Sequence, residues 1–300
     1  MEYTNIELSG KQISKIGLGC VTFGREIGRS ASFDMMDYAY ECGITLFDTA
    51  AAYGAGSSEA IVGEWIAAHR PESDSIVVAT KILPPYDREN ITKSVSQSLY
   101  RLGVDTIDLL YLHRWDNSLT AHEIFATLGD LIIQGKVRML GASNFTAEQL
   151  AMAVSLQKEN DLPLFRFVQN NNNLAVSDVS DELINICSEN SISIITYSPL
   201  AAGFLTGKYK RGVQQGTRFD IIPGHKDVYF NDTAYSRLEH LQMMAVRTGY
   251  SPVHLALAWA MHQSYTTSVL IGGRKPAHID QALVAMDFDA PDIIEQLATN

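Results

Sequence analysis

Basic residues are scarce in this chain. Against 34 Asp and Glu stand 23 Lys and Arg, a formal net charge of −11. Nucleic-acid binding usually shows as a basic patch or stripe, and the balance points the other way. An anionic ligand would need a local positive pocket. Cysteine is scarce too. Cys20, Cys42 and Cys187 are spaced too widely for a zinc motif or a disulfide framework, and read as free thiols. No apolar run approaches the roughly 18 residues that a membrane span needs. The opening stretch, MEYTNIELSGKQISKIG, has polar and acidic residues where a signal peptide carries an apolar run. A cytoplasmic protein is expected. The dinucleotide fingerprint G-x-G-x-x-G is also missing: Gly17-Leu18-Gly19-Cys20-Val21-Thr22 lacks its last glycine. That weakens the case for an open doubly wound sheet.

What is present is a repeat. Short apolar runs alternate with longer segments of helical period along the whole chain. The runs are Ile16–Cys20, Ile44–Phe47, Ile76–Ala79, Ile107–Leu112, Val137–Leu140, Phe165–Val168, Ile192–Thr196 and Val269–Ile271. Helices are expected over Asp34–Cys42, Ser58–His69, Glu89–Leu102, Thr120–Gln134 and Ala147–Lys158. Four more fall at Asp178–Glu189, Asp232–Thr248, Pro252–His262 and Pro276–Ala285. Gly43, Pro71, Gly103 and Gly135 punctuate their ends, and Pro252 and Pro276 suit first helical positions. Strands alternating with helices imply parallel strands joined by right-handed crossovers. The 300 residues hold one (β/α)8 TIM barrel, typically about 250 residues, with room for insertions. The fold class expected is therefore α/β, one barrel domain over residues 1–300. An N-terminal β-hairpin over Thr4–Ser14, around Ser9-Gly10-Lys11, precedes it. A long irregular loop, Ala201–Asn231, follows strand 7 and is expected to be functional or mobile.

The apolar runs end in chemically capable residues. Asp48 is followed by Tyr53; Lys81, His113-Arg114, Ser143-Asn144, Gln169-Asn170, Tyr197-Ser198 and Gly273-Arg274 close other runs. Asp48, Lys81, His113 and Ser143 recur at intervals of 33, 32 and 30 residues. In a barrel these C-terminal strand ends meet in one mouth, where barrel enzymes place their sites. Singly, each residue has a structural reading: a turn cap for Asp48, a solvated charge for Lys81, a hydrogen-bonded strand end for His113, packing for Tyr53. Together they form an acid-base group. A free phenol is a poor acid at neutral pH, with a pKa of about 10. An ammonium beside it is expected to make it more acidic. Asp48 would keep Lys81 protonated, His113 would orient a carbonyl oxygen, and Tyr53 would protonate the developing alkoxide. No side chain supplies a hydride, so a nicotinamide cofactor is implied.

At these residues the chain resembles the aldo-keto reductase superfamily. The resemblance runs from Ile16-Gly17-Leu18-Gly19 with Thr22-Phe23-Gly24, through Phe47-Asp48-Thr49-Ala50, Tyr53-Gly54, Ser58-Glu59 and Gly63, to Thr80-Lys81. It continues over Ser98–His113, Gly135–Arg138, Gly141–Phe145, Gln169-Asn170, Tyr197–Leu200, Gly203, Leu205–Tyr209 and Leu257-Ala258. It implies a barrel that binds NADP(H), with NAD(H) as the alternative, and the tetrad Asp48, Tyr53, Lys81 and His113 with Tyr53 as general acid. By the same resemblance, Ser143, Asn144 and Gln169 would hold the nicotinamide carboxamide, and Tyr197 would stack on the ring. Ser198, Leu200, Gly203, Leu205 and Lys208 would lie along the pyrophosphate, with Gly273 and Arg274 at the adenosine phosphate. Thr22, Asp48, Pro199, His278 and Gln281 complete the cofactor set. The adenine end departs from the family: His278 stands where a Gln or Arg is usual, and Gln281-Ala282 where an acidic residue and Asn are. Physically, Arg274 and the helix start at Pro276 both favour an anion.

The resemblance leaves several functions open. The first is an NADPH-dependent reductase of aldehydes or ketones. Others are an NADP-dependent sugar or alcohol dehydrogenase, and an NADPH-binding regulatory subunit with little turnover, like the potassium-channel β subunits. A Schiff-base aldolase using Lys81 is a remote fourth. Arg25, Trp115, Phe219 and Phe230 are candidate pocket residues, with Glu26 and Tyr229 near them. Arg25, Arg114 and Arg218 are candidates to accept a carboxylate or phosphate. The chain ends soon after the last expected helix, so no long C-terminal substrate loop is expected and the pocket should be open. The four-residue run Asn170–Asn173 is unusually polar for a strand end.

Overall fold

A computed structural model of the chain describes residues 1–6, 10–69 and 75–298. The hairpin residue Ser9 and the helix stop at Pro71 lie outside the described residues. β1 (Tyr3–Asn5) and β2 (Gln12–Ser14) pair antiparallel, Tyr3 against Ser14. Eight strands then close a barrel: β3 (Ile16–Gly19), β4 (Leu46–Asp48), β5 (Val77–Ile82), β6 (Ile107–Leu112), β7 (Val137–Ser143), β8 (Phe165–Asn171), β9 (Ser193–Tyr197) and β10 (Thr266–Gly272). Every neighbouring pair is parallel, and β10 returns to β3. This is the (β/α)8 barrel with an N-terminal hairpin that the alternating pattern predicts.

The crossover helices are α1 (Arg29–Glu41), α2 (Ser57–His69), α3 (Arg88–Leu102), α4 (His122–Ile133), α5 (Ala147–Glu159) and α6 (Asp181–Glu189). After β9 come α7 (Arg218–Ile221), α8 (His225–Tyr229), α9 (Asp232–Thr248) and α10 (Pro252–Met261), and after β10 come α11 (Ala277–Met286) and α12 (Pro291–Ala298). Their boundaries follow side-chain chemistry. Asp87 caps α3 by accepting from Asn90 N–H, and Gly103 ends it in a left-handed conformation. Thr146 and Gln149 form a capping box on α5, and Pro252 sits in the first turn of α10 behind the Ser251 cap. α1 starts before the expected Asp34 because Gly28 caps it without a side-chain bond, so no polar cap marks the entry. α12 lies outside the predicted repeat. The long segment after β9 is not structureless; 3-10 turns and α7 and α8 build it.

Strand alternation decides what faces the barrel interior. In β4, Leu46 points inward, Phe47 packs outward on Trp65, and Asp48 points inward again at the mouth. In β5, Val77 and Ala79 point inward, so Lys81 does too. In β6, Leu109 and Tyr111 point inward and His113 follows in the same parity. Ile6 and Ile13 of the hairpin pack on the lower interior layer with Leu46, Val77, Leu109 and Met139. The hairpin is pinned by Lys11, whose ammonium is 2.9 Å from Asp108 and donates to Ile76 O at 2.8 Å. The N-terminal end is therefore plugged, and only the C-terminal mouth is left for chemistry.

One close helix contact is testable. A Cβ at Gly63 in α2 would stand 2.4 Å from the Arg101 carbonyl and 2.6 Å from that of Leu102, at the end of α3. Gly63→Ala gains about 1 kcal/mol of helix propensity, but backbone cannot yield as a side-chain tip does. A net loss of about 1–3 kcal/mol is expected from such overpacking. Urea unfolding midpoints of the two proteins measure it.

Candidate active site

Asp48, Lys81, Tyr53 and His113 come together at the mouth. Lys81 is fully buried and Asp48 nearly so. The Lys81 ammonium donates to Asp48 Oδ1 at 2.5 Å and to Thr49 O at 2.8 Å. Gln169 Nε2 donates to the other carboxylate oxygen at 2.8 Å. Tyr53 follows β4 in a tight 3-10 turn; its ring centroid lies 4.9 Å from the Lys81 ammonium. The His113 ring meets it edge-on, centroids 5.8 Å apart.

Burial and charge compete here. Burial pulls Lys81 toward its neutral form, but Asp48 and Tyr53 outweigh it and hold the ammonium above its ordinary pKa. Burial also pushes Tyr53 up. Lys81 pulls it down and Asp48 pushes it up, and the net direction is upward. This corrects the expectation that the ammonium makes the phenol more acidic than usual: Lys81 only offsets part of the desolvation. The phenol therefore keeps its proton at neutral pH. Burial, Lys81 and Arg114 lower His113 to about 3, so its imidazole is neutral.

Asn144 knits the mouth together. Its backbone is left-handed at φ 59°. Its amide donates to His113 O at 2.9 Å and to Ser143 Oγ at 3.1 Å, and its carbonyl accepts from the Tyr197 hydroxyl at 2.6 Å. Ser198, Ala201 and Ala202 are left-handed as well. Such non-glycine conformations cost on the order of 1–3 kcal/mol each and cluster where surrounding structure holds a site in shape. Gly203, at φ 91°, lies under Lys208: a Cβ there would be 3.4 Å from the ammonium. Pro199 and Leu205 are buried, and Leu200 is half-buried.

Across the mouth, Thr22 donates to Gly273 O at 2.8 Å, tying the turn after β3 to that after β10. Arg274 N–H donates to His278 Nδ1 at 3.2 Å. Besides burial, the charges of Lys275, Lys208 and Arg274 hold His278 below its usual pKa, which sets three cations around one imidazole. A group with several phosphates fits this arrangement. The Arg274 guanidinium is exposed and donates to Gly216 O at 2.9 Å. Gln281 is exposed on α11.

The pocket candidates divide. Trp115 is half-buried against Phe145. Phe219 is fully buried and packs on Tyr209, Tyr229 and Phe230, so it is the small core of the loop and lines no open pocket. Phe230 is half-buried in the same aromatic cluster. Arg25 and Arg218 both pair with Glu26. The asparagine run is structural. Asn170 donates to Phe145 O and Asp178 O, Asn171 accepts from Tyr229 and Asn173, and Asn172 bonds Tyr265 and Ser177. Asn173 accepts from the N–H groups of Ala175 and Val176. The run fastens the end of β8 to the chain beyond it.

Two residues beside the site escaped the sequence reading. Tyr111 lies in the barrel directly below; its ring is 5.8 Å from the Lys81 ammonium, and Gly141 makes room for it. The inward series Leu109, Tyr111, His113 carried that signal. His225 sits in α8, where no periodic pattern marks it.

A closed parallel barrel with a buried ammonium–carboxylate pair, a protonated phenol and a neutral imidazole at its C-terminal rim defines a barrel enzyme built for proton chemistry. The model of the Aldo/keto reductase family matches residues 15–295, and the chain belongs to that family and is an oxidoreductase. It is 27% identical to an uncharacterized oxidoreductase, YrpG, of Bacillus subtilis, over 96% of this chain and 92% of that one. It is 29% identical to a probable voltage-gated potassium channel subunit beta of Arabidopsis thaliana, over 96% and 92%. Among solved structures, a glycerol dehydrogenase of Gluconobacter oxydans superposes with a TM-score of 0.81 at 25% identity, over 99% of this chain and 93% of that one. Family members use nicotinamide cofactors. Among the described residues, no helix is long and apolar enough to cross a membrane, and no group of side chains could hold a metal ion.

Proposed function

We propose that this chain is an NADPH-dependent reductase of aldehydes or ketones with Tyr53 as its proton donor. The observation that carries the reading is a phenol kept protonated beside a buried ammonium at the mouth. When bound, the reduced nicotinamide supplies the hydride. Ser143, Asn144, Gln169 and Tyr197 would hold that end, and Lys208, Arg274 and Lys275 the phosphates. The carbonyl oxygen would accept hydrogen bonds from the Tyr53 hydroxyl and the neutral His113. As charge develops on that oxygen, Tyr53 transfers its proton, and the Lys81 ammonium stabilises the phenolate left behind. Asp48 keeps Lys81 charged and aimed. Measured turnover of aldehydes, ketones and sugars with NADPH and NADP⁺ tests the assignment.

The same residues run the reverse reaction, and the glycerol dehydrogenase likeness favours alcohol oxidation as the second reading. The likeness to a channel β subunit supports a third, cofactor binding with little turnover. Cofactor choice has its own test. Arg274→Ala should weaken NADPH binding about tenfold or more, since hydrogen bonds to charged groups contribute about 1.5–3 kcal/mol, and NADH much less. Fluorescence titration measures both. Equal losses would show that Arg274 does not read the 2′-phosphate.

A further inference from the structure

We infer that the substrate carries a carboxylate, which docks on the guanidinium of Arg218, beside Arg25, at the side of the mouth next to Tyr53. The reacting carbonyl rests on the reductase reading above; the anion site does not.

The turn after β3 carries Arg25 and Glu26. It is pressed onto the Tyr53-Gly54 turn: a Cβ at Gly54 would stand 3.4 Å from Gly24 O and 3.5 Å from Phe23 O, and one at Gly24 would stand 2.5 Å from Ser57 Cβ. The turn that carries Glu26 is thereby fixed against the Tyr53-Gly54 turn, and the Glu26 side chain is 0% exposed. Arg25 Nε reaches it at 2.7 Å, and Arg218 pairs with it from α7 across the mouth. Because Arg218 reaches Glu26, its guanidinium lies on the side of the mouth where the turn after β3 meets the Tyr53-Gly54 turn.

Two guanidiniums share this one buried carboxylate, so the cluster has a net positive charge in a chain of net charge −11. Arg25 spends a further donor on Val21 O at 2.9 Å. Among the described residues, the Arg218 side chain donates to Glu26 alone, and it is only 18% exposed. His225, held neutral by burial and by both arginines, adds a buried Nδ1 without a partner. A salt bridge serving only to tie the loop would need one arginine and would leave no part of a guanidinium over. Glu26 instead holds the Arg218 fork in place, as a ligand-binding arginine requires, and a carboxylate matches the fork's unused edge. Phe219 and Phe230, two of the three aromatics expected to line the pocket, are turned into the loop's own core, which leaves this polar cluster on their side of the mouth.

The test compares succinate semialdehyde with butanal, NADPH as reductant, in the wild type, Arg218→Gln and Arg218→Lys. Succinate, which cannot be reduced, is titrated calorimetrically against the same proteins. The wild type should prefer succinate semialdehyde in kcat/KM by about 10- to 100-fold, the range expected of charge-assisted hydrogen bonds. In Arg218→Gln the ratio of the two substrates should fall toward one and succinate binding should be lost. Arg218→Lys, which keeps the charge and the tie to Glu26 but not the fork, should give an intermediate ratio, and it stands in if the Gln variant fails to fold. Equal use of both aldehydes by the wild type, or succinate binding that ignores Arg218, overturns the inference. Tighter binding of inorganic phosphate than of succinate overturns the choice of carboxylate. Arg218-dependent succinate binding without reduction of either aldehyde supports the anion site and sinks the reductase reading instead.

Discussion

Tyr53→Phe is expected to lower turnover in carbonyl reduction by about 100- to 10,000-fold, the range that positioned general acids contribute, while NADPH binding stays nearly unchanged. The substitution removes one hydroxyl. The ring keeps its edge contact with His113 and its place by the Lys81 ammonium, so the shape of the mouth persists. No neighbour can replace the proton. Lys81 is committed to Asp48 and Thr49, and His113 is neutral down to about pH 3. The pH profile follows from the same groups. Tyr53 lies above its ordinary pKa, so reduction should stay level through neutral pH and fall only in alkali, as the phenol loses its proton. His113 contributes no acid limb until pH approaches about 3. Single-turnover kinetics separate this step from product release. Comparable turnover by the Phe variant would remove Tyr53 from the chemistry.

The barrel was legible because parallel strands buried on both faces read as apolar runs, and the helices between them carry caps and glycines. The mouth was legible for a related reason. Side-chain parity carries the inward face past the last apolar residue, so Leu46 predicts where Asp48 points, and Leu109 and Tyr111 predict His113. Parity gives no energies, and that is where the reading of Tyr53 went astray: charge near a phenol is visible in sequence, burial of the phenol is not. The segment after β9 was opaque for another reason. Its order comes from tertiary contacts between residues far apart in sequence. Phe219 looks like a pocket wall until Tyr209 and Phe230 close over it. Glu26 and Arg218 are 192 positions apart, and nothing local pairs them. The four asparagines looked anomalous because their partners are mostly backbone groups and hydroxyls of the loops that β8 must hold.

The largest stability effect is expected from Lys81→Met. Lys81 and Asp48 are both buried, and their mutual attraction offsets the cost of desolvating each. Removing the ammonium leaves the carboxylate with Gln169 as its remaining donor, too little to compensate a buried charge. Loss of one member of such a pair costs about 3–5 kcal/mol. The double variant Asp48→Asn, Lys81→Met removes both charges and should recover most of that loss, while remaining inactive. The pH dependence discriminates further. Burial already raises the Asp48 pKa against the pull of Lys81, and without Lys81 it rises further. A folded-state carboxyl pKa above the unfolded value, about 3.9, means that the native variant binds the proton more tightly than the unfolded chain. Its stability is then fully present below the unfolded pKa and is lost as pH rises toward the folded one. The deficit of Lys81→Met against the wild type should widen from acid to neutral pH, and the double variant should show no such trend. Urea unfolding across that pH range gives both slopes; parallel slopes for the single and double variants would mean that the strain of the new side chain, not the orphaned Asp48 carboxylate, destabilises the protein.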